Sequence, residues 1–162
     1  MDGISLVIGC DSAAVALKNT LTAHLREKGY QVEDMGVSDP ADDTAYAYVA
    51  EKVAHKVLEE EGRRGILLCG TGIGVAIAAN KVPGIRAAQI HDIFSAERAA
   101  LSNAANIVTL GARVVAPQLA QRLLDQWLVL KYQDGPSTLK IAAIQEVEKK
   151  YTAKTSQFSN TP

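Results

Sequence analysis

A cysteine followed by alternating glycines is the stretch of this sequence with the clearest chemical potential. Cys69-Gly70-Thr71-Gly72-Ile73-Gly74 ends a short apolar run, and residues 75–80 after it have the composition of a helix. The pattern predicts a strand, a tight turn and a helix, and the backbone N–H groups of such a turn converge into an anion-binding concavity. A thiol beside an anion hole can remove a proton alpha to a carbonyl.

Each residue of this motif also has a purely structural explanation. Cys69 could be a small apolar core residue, because buried cysteines are common. Thr71 could cap the following helix, or its hydroxyl could reach a substrate. The glycine spacing differs from that of the dinucleotide fingerprint, and the motif lacks the Lys-Ser/Thr pair of a nucleotide P-loop. The glycines beside the thiol favour Cys69 as a functional residue.

Further polar residues are expected at the same edge of the fold. Asp11 follows the first predicted strand, where it could cap a helix or bind a sugar hydroxyl. His91 follows the fourth predicted strand, on the side where ligands bind. A phosphate group would need cations, and the candidates are Arg86, Arg113, Lys81 and Lys140.

Apolar runs alternate with helical periodicity along the whole chain. Helices are expected between the strands, and a last one at residues 137–150. This alternation predicts an α/β protein with a parallel sheet and helices on both faces. Ligands bind such sheets beyond the carboxyl ends of the strands, near the topological switch point. The predicted strands are residues 4–9, 30–35, 65–69, 85–90 and 105–110.

Composition restricts the possible classes of protein. The chain has 162 residues, a formal net charge of -1 and 48% hydrophobic residues. We predict a single domain over residues 1–151 and a flexible tail over 152–162. Nothing in this charge favours nucleic acid or an anionic membrane as a partner. Two distant cysteines and no secretion signal or apolar span lead us to expect a reduced, cytoplasmic protein without a metal site.

The chain resembles the type B ribose-5-phosphate isomerases and the galactose-6-phosphate isomerase subunits. The resemblance runs from Ile8-Gly9-Cys10-Asp11 to the last helix, and its most specific parts are residues 69–74, 79–87, 95–96 and 106–115. It implies a Rossmann-like three-layer αβα sandwich with a five-stranded parallel sheet. It also implies a homodimer or homotetramer with active sites at the subunit interface, and no cofactor. The implied reaction is aldose–ketose isomerisation of a small phosphorylated sugar through a cis-enediolate.

The same resemblance implies roles for individual residues. Cys69 would be the catalytic base, Thr71 a second catalytic group, and residues 70–74 the anion hole. Arg113 matches a family arginine near the phosphate, and Lys140 is a second phosphate-binding candidate. The positions expected to contact the substrate are Asp11, Ser12, Tyr46, Gly70, Gly72, Ile73, Gly74, His91, Ser102 and Asn103.

Three departures from the family pattern bear on the substrate. Ser12 and Ser102 stand where members that handle ribose 5-phosphate usually have histidines, the second of which opens the sugar ring. Residues 135–140 replace an arginine-rich segment and keep only Lys140 as a cation. A tetrose 4-phosphate cannot close a five-membered ring, since its O4 carries the phosphate. The chain resembles a branch from erythritol catabolism, so D-erythrulose 4-phosphate and D-erythrose 4-phosphate are the preferred pair.

Four alternatives remain open from the sequence. The protein could be a ribose-5-phosphate isomerase in which His91 replaces the missing histidine. It could be one subunit of a hetero-oligomeric galactose-6-phosphate isomerase. Loss of two histidines and the arginines would also suit a non-catalytic phosphate- or nucleotide-binding module. A thiol-redox protein is a weaker alternative, because no Cys-x-x-Cys pair is present.

Overall fold

The protein is built on one parallel sheet of five strands. The computed structural model describes residues 4–158. The sheet order is β2-β1-β3-β5-β4, and every neighbouring pair is parallel. The α/β architecture expected from the sequence is therefore confirmed, with each strand within about two residues of its predicted position. The strands are β1 Ser5–Cys10, β2 Gln31–Asp34, β3 Arg64–Cys69, β4 Ala87–Gln89 and β5 Ile107–Gly111.

Six α-helices flank the sheet in two layers. In one layer α2 packs on α3, and in the other α1 and α4 both pack on α5. This division follows from right-handed crossovers, because the chain moves along the sheet in one direction through α1 and α4 and in the other through α2 and α3. A short 3-10 helix, Ser12–Ala14, precedes α1. The helices are α1 Val15–Glu27, α2 Tyr46–Leu58, α3 Ile73–Ala79, α4 Ile93–Leu101, α5 Pro117–Val129 and α6 Thr138–Phe158.

The central strands lie wholly within the core. All five residues of β5, and all but the first residue of β1 and of β3, are buried. Helices cover both faces of the sheet. This explains why the sequences of these strands are continuous apolar runs rather than an alternation of apolar and polar residues. The fully buried Trp127 of α5 is the largest side chain of the core.

The topological switch point lies between β1 and β3. These two strands are neighbours, and Cys10 of β1 is in register with Leu68 of β3. The N–H of Asp11 donates to the Leu68 carbonyl at 3.3 Å, so the two chain segments stay paired just beyond the sheet. Asp11 and Cys69 therefore leave the sheet side by side, at the edge where ligands of such folds bind.

The last helix is longer than the sequence pattern indicated. We expected it to end at residue 150 with a loose tail from 152, but α6 continues to Phe158. No glycine or proline interrupts residues 151–158, and the Thr152 hydroxyl donates to the Glu148 carbonyl one turn earlier. Residues 159–162 of the predicted tail lie outside the described residues.

Much of α6 is exposed. Of its side chains up to residue 152, only Ile141 is buried, while Leu139, Ile144, Val147 and Tyr151 are exposed. A polar contact between Glu148 and Gly84 helps to attach the helix to the domain, because the Glu148 carboxylate accepts a hydrogen bond from the N–H of Gly84 at 2.9 Å. Among residues 4–158, no helix has the length and apolar character needed to cross a membrane.

Candidate active site

The loop after β3 holds Cys69 at the carboxyl edge of the sheet. Gly72 has φ 78°, a left-handed conformation that glycine adopts without strain, and it turns the chain into α3. The turn brings the Gly72 N–H to 3.1 Å from the Cys69 Sγ, so the amide donates to the sulfur. Only 5% of Cys69 is exposed, so the thiol is buried at this edge of the sheet.

Thr71 is not the helix cap. Gly72 occupies that position, and α3 begins at Ile73, two residues before the predicted start. The Thr71 hydroxyl oxygen nevertheless accepts a hydrogen bond from the N–H of Ile73 at 3.3 Å. Since this contact uses the oxygen as an acceptor, the hydroxyl hydrogen can still donate to another group.

The carbonyl groups of the same loop all point away from the sulfur. Four consecutive carbonyls, from Cys69 to Gly72, each accept a hydrogen bond from β4, from β5 or from the turn after β5. The donors are the Ala112 N–H to Cys69 at 2.9 Å, the Arg113 N–H to Gly70 at 3.0 Å, the Gln89 side-chain amide to Thr71 at 2.7 Å and the Thr109 hydroxyl to Gly72 at 2.8 Å.

Asp11 has the capping role considered for it. Its Oδ1 accepts from the N–H of Ala13 at 3.0 Å and caps the 3-10 helix that Ser12 begins. The carboxylate has a second oxygen, and the residue is only partly buried. The capping contact therefore fixes the side chain beside Cys69 and leaves an oxygen for a ligand.

Tyr46 lies across the first turn of α3. A Cβ atom added to Gly74 would be 2.7 Å from both Cε2 and Cζ of the Tyr46 ring, so only glycine fits there. Tyr46 is 45% exposed. The predicted proximity of Tyr46 to the glycine loop is thus present in the fold, through the contact between α2 and α3.

Arg113 supplies positive charge directly over the loop. A Cβ atom on Gly70 would lie 3.5 Å from both Cζ and Nη1 of the Arg113 guanidinium. The backbone N–H of Arg113 donates to the Gly70 carbonyl. Both the backbone and the side chain of the arginine therefore lie against the loop. The side chain is exposed, so the guanidinium is free to bind an anion.

His91 is held as a neutral imidazole. Its Nε2 lies 3.1 Å from the N–H of Gly111 and accepts that hydrogen bond, so the ring proton is on Nδ1. Gly111 is the register partner of Cys69, which places the imidazole near the sulfur. Burial lowers the pKa of His91 below its ordinary value of 6.5, and the Asp92 carboxylate only partly opposes this.

Ser102, Asn103 and Lys140 do not join this cluster within one chain. Ser102 and Asn103 follow α4 and bond to Arg98, and they precede β5, whose length of roughly 13 Å separates them from the Cys69 edge. Asn103 instead lines a cavity of about 800 Å³ between the start of β4 and α6. Lys140 is exposed on the first turns of α6. For Ser102 and Asn103 the cause is topological, because both precede β5 and therefore lie at the amino-terminal edge of the sheet.

Two residues at the site were not identified from the sequence. Gln89 and Thr109 bond to the loop carbonyls, but neither was predicted to be a site residue, and their proximity to residues 71–72 depends on strand register. Within residues 4–158, no group of three or more His, Cys, Asp or Glu side chains could hold a metal ion.

Comparison with known proteins identifies the family. A family model described as Ribose/Galactose Isomerase matches residues 6–144. The chain belongs to this family. A D-erythrulose-4-phosphate isomerase of Pectobacterium atrosepticum is 48% identical over 141 residues, or 87% of this chain and 93% of that protein. A ribose-5-P isomerase B of Listeria innocua is also 48% identical, over 147 residues, or 91% of this chain and 99% of that protein.

The structural comparison leads to the same ribose/galactose isomerase family. The ribose-5-phosphate isomerase B of Clostridium thermocellum superposes with a TM-score of 0.87 at 41% identity, covering 91% of this chain and 99% of that one. The protein is therefore a sugar-phosphate aldose–ketose isomerase with the fold of its family. The comparisons leave the substrate and the catalytic base unassigned.

The hydrogen bond from Gly111 to His91 predicts a pH dependence of stability. Because the pKa of His91 is lowered in the folded state, the unfolded chain binds more protons below pH 6.5. The stability due to the neutral ring is thus complete above that pH and is lost as the pH falls. His91→Gln, which keeps an acceptor, should show a smaller decrease in the free energy of unfolding between pH 7 and 5, measured by urea denaturation.

The control for this measurement is His55→Gln, at a histidine whose side chain is 65% exposed. This variant should follow the wild-type pH dependence. If His91→Gln also follows it throughout the range, the neutral imidazole contributes nothing to stability.

Proposed function

We propose that Cys69 is the base that interconverts the ketose and aldose forms of a small sugar phosphate. The observation that carries this proposal is the position of the sulfur, which accepts the Gly72 N–H within a loop covered by the Arg113 guanidinium. The amide dipole favours negative charge on the sulfur, and the arginine favours an anionic ligand beside it. Proton transfer between adjacent carbons requires both conditions.

The proposed reaction conserves all atoms. Cys69, as the thiolate, takes a proton from C1 of the ketose, the C–H electron pair forms the C1=C2 bond, and the carbonyl pair moves to O2. The resulting cis-enediolate receives the same proton from sulfur at C2, while the O1 proton moves to O2 and leaves an aldehyde at C1. Thr71 is placed to assist the transfer between the oxygens, since its hydroxyl hydrogen is free to donate.

The remaining groups would orient the substrate. Arg113 would bind the phosphate, because a guanidinium can form two parallel hydrogen bonds to it. Asp11 would accept from a sugar hydroxyl through the oxygen that does not cap the 3-10 helix. Tyr46 would close the site over the first turn of α3. Each of these residues comes from a different strand end or helix start.

A four-carbon substrate fits this site better than ribose 5-phosphate. The two relatives named above are equally identical to the chain, so identity does not separate their substrates. Serine at positions 12 and 102 leaves no histidine there to open a sugar ring. His91 does not replace them readily, because its Nε2 already accepts the Gly111 N–H. These features favour D-erythrulose 4-phosphate, which needs no ring opening.

A second copy of the chain would complete the site. Ser102 and Asn103 lie at the opposite edge of the sheet from Cys69, so one chain cannot bring them to the same ligand. The exposed apolar side chains of α6, with Ile144 and Val147 on one stripe, are available to pack on another subunit. We therefore propose a homodimer in which Asn103 of one copy approaches Cys69 of the other.

Replacement of the proposed base tests the chemistry. Cys69→Ala should lower kcat by about 10²- to 10⁴-fold and abolish solvent-deuterium incorporation into the sugar phosphate, because no other group removes the proton. The matched control is Cys10→Ala, since the Cys10 thiol is fully buried and burial raises its pKa to about 11. The control should keep its activity. A non-catalytic binding protein would show no exchange even as wild type.

A direct comparison of substrates tests the carbon number. We expect kcat/KM for D-erythrulose 4-phosphate to exceed that for ribose 5-phosphate by at least about tenfold, since the closed furanose must first open. A coupled spectrophotometric assay with both sugars measures this ratio. A ratio below one would assign the protein to ribose 5-phosphate, and activity that appears only with a second gene product would indicate a hetero-oligomer.

Complementation between defective variants tests the shared site. Cys69→Ala and Asn103→Ala chains carrying different tags can be co-expressed and the mixed dimer purified on both tags. If each site uses Cys69 from one copy and Asn103 from the other, the mixed dimer has one intact site and about half the wild-type activity. A mixed dimer no more active than the two parent variants would contradict this arrangement.

A further inference from the structure

The peptide group between Thr71 and Gly72 is fixed at both ends. Its carbonyl accepts from the Gln89 side-chain amide at 2.7 Å, and its N–H donates to the Cys69 Sγ at 3.1 Å. We propose that Gln89 is a positioning residue that controls the reactivity of the Cys69 sulfur through this single peptide group. A role in isomerisation depends on the proposed function of Cys69, whereas the effect on the sulfur does not.

The strand register brings Gln89 to this position and gives it a neighbour with the same role. Gln89 of β4 pairs with Thr109 of β5, so both side chains leave the same face of the sheet. They donate to consecutive carbonyls, those of Thr71 and Gly72. Because a peptide group is planar and trans, fixing each carbonyl also fixes the N–H that follows it.

The loop needs such external donors because its own residues restrain it weakly. Glycines on both sides of Thr71 widen the range of backbone angles, and the backbone donors of Ala112 and Arg113 reach only the Cys69 and Gly70 carbonyls. Without a donor on the Thr71 carbonyl, the peptide group could rotate and withdraw its N–H from the sulfur. With the donor in place, the two hydrogen bonds also polarise one another, which strengthens the contact to sulfur.

Thr109 acts on the next peptide group. Its side chain is fully buried, and its hydroxyl donates to the Gly72 carbonyl at 2.8 Å. The N–H of that peptide group belongs to Ile73 and donates to the Thr71 hydroxyl oxygen. Gln89 and Thr109 therefore fix the two peptide groups whose N–H atoms serve the two proposed catalytic side chains.

The alkylation rate of Cys69 measures the effect of Gln89 on the sulfur directly. Gln89→Met keeps the length of the side chain and removes the donor, and the exposed position should tolerate it. We expect iodoacetamide to modify Cys69 of this variant about three- to tenfold more slowly than wild type at pH 7, because the sulfur loses the fixed N–H donor of Gly72.

Two controls separate positioning from a general loss of structure. Gln126→Met removes a glutamine of α5 whose side-chain amide donates to Glu97, away from the Cys69 loop, and this variant should react at the wild-type rate. At the buried position, Thr109→Ser retains the hydroxyl and Thr109→Val removes it at nearly constant volume. We expect kcat to fall about tenfold or more in Thr109→Val with KM within about twofold, and Thr109→Ser to recover most of it.

The outcomes separate this proposal from the proposed function. Equal alkylation rates for Gln89→Met and wild type at pH 7 would overturn the role of Gln89. A loss of kcat in Thr109→Ser that Thr109→Val does not share would show that Thr109 acts by packing alone. If the wild-type protein isomerised no sugar phosphate but Gln89→Met still slowed alkylation, the isomerase mechanism would fail and the positioning role would stand.

Discussion

The backbone that follows Cys69 is fastened to the adjacent strands, and the rest of the site depends on this attachment. Each carbonyl from Cys69 to Gly72 accepts a hydrogen bond from the β4–β5 side of the sheet. The N–H groups consequently face the opposite way, toward the sulfur and the Thr71 hydroxyl. A glycine-rich turn would otherwise sample many conformations, so the attachment gives a flexible sequence one defined shape.

Close packing around the loop restricts which residues can surround it. The turn lies so near β5 that a Cβ atom on Gly111 would be 2.6 Å from the Thr71 carbonyl carbon. On its other side, Gly74 allows the Tyr46 ring to lie directly on α3. Contact on both sides restricts the conformations open to the loop, and it agrees with the small exposed area of Cys69.

The polar groups of the proposed site are divided between the two edges of the sheet, and the proposed dimer would bring them together. Asp11, His91 and Arg113 follow strands and therefore lie at the carboxyl edge with Cys69. Ser102 and Asn103 follow a helix and lie at the other edge, where hydrogen bonds to Arg98 hold Asn103 and Ser102 in place. In the proposed assembly, a two-fold arrangement would place the two kinds of edge against one another, and each copy would supply what the other lacks.

The amino-acid sequence by itself determined the α/β class, the strand–turn–helix at residues 65–79 and the location of the thiol at a strand end. These features depend on local periodicity and on glycine, which act over a few residues. It also indicated Asp11 and His91, because parallel strands all present their carboxyl ends at one edge. Arg113 was indicated by the resemblance to the family. The length of α6 was underestimated because polar residues of high helix propensity resemble a loose tail.

Tertiary structure alone decided which donors hold the loop and which residues stay apart. Gln89 and Thr109 are 18 and 37 residues from the carbonyls they bind, and only the pairing of β4 with β5 brings them there. The neutral state of His91 likewise depends on a backbone N–H from another strand. Such contacts leave no periodic trace in the sequence, because they are set by sheet order and register, which involve distant parts of the chain.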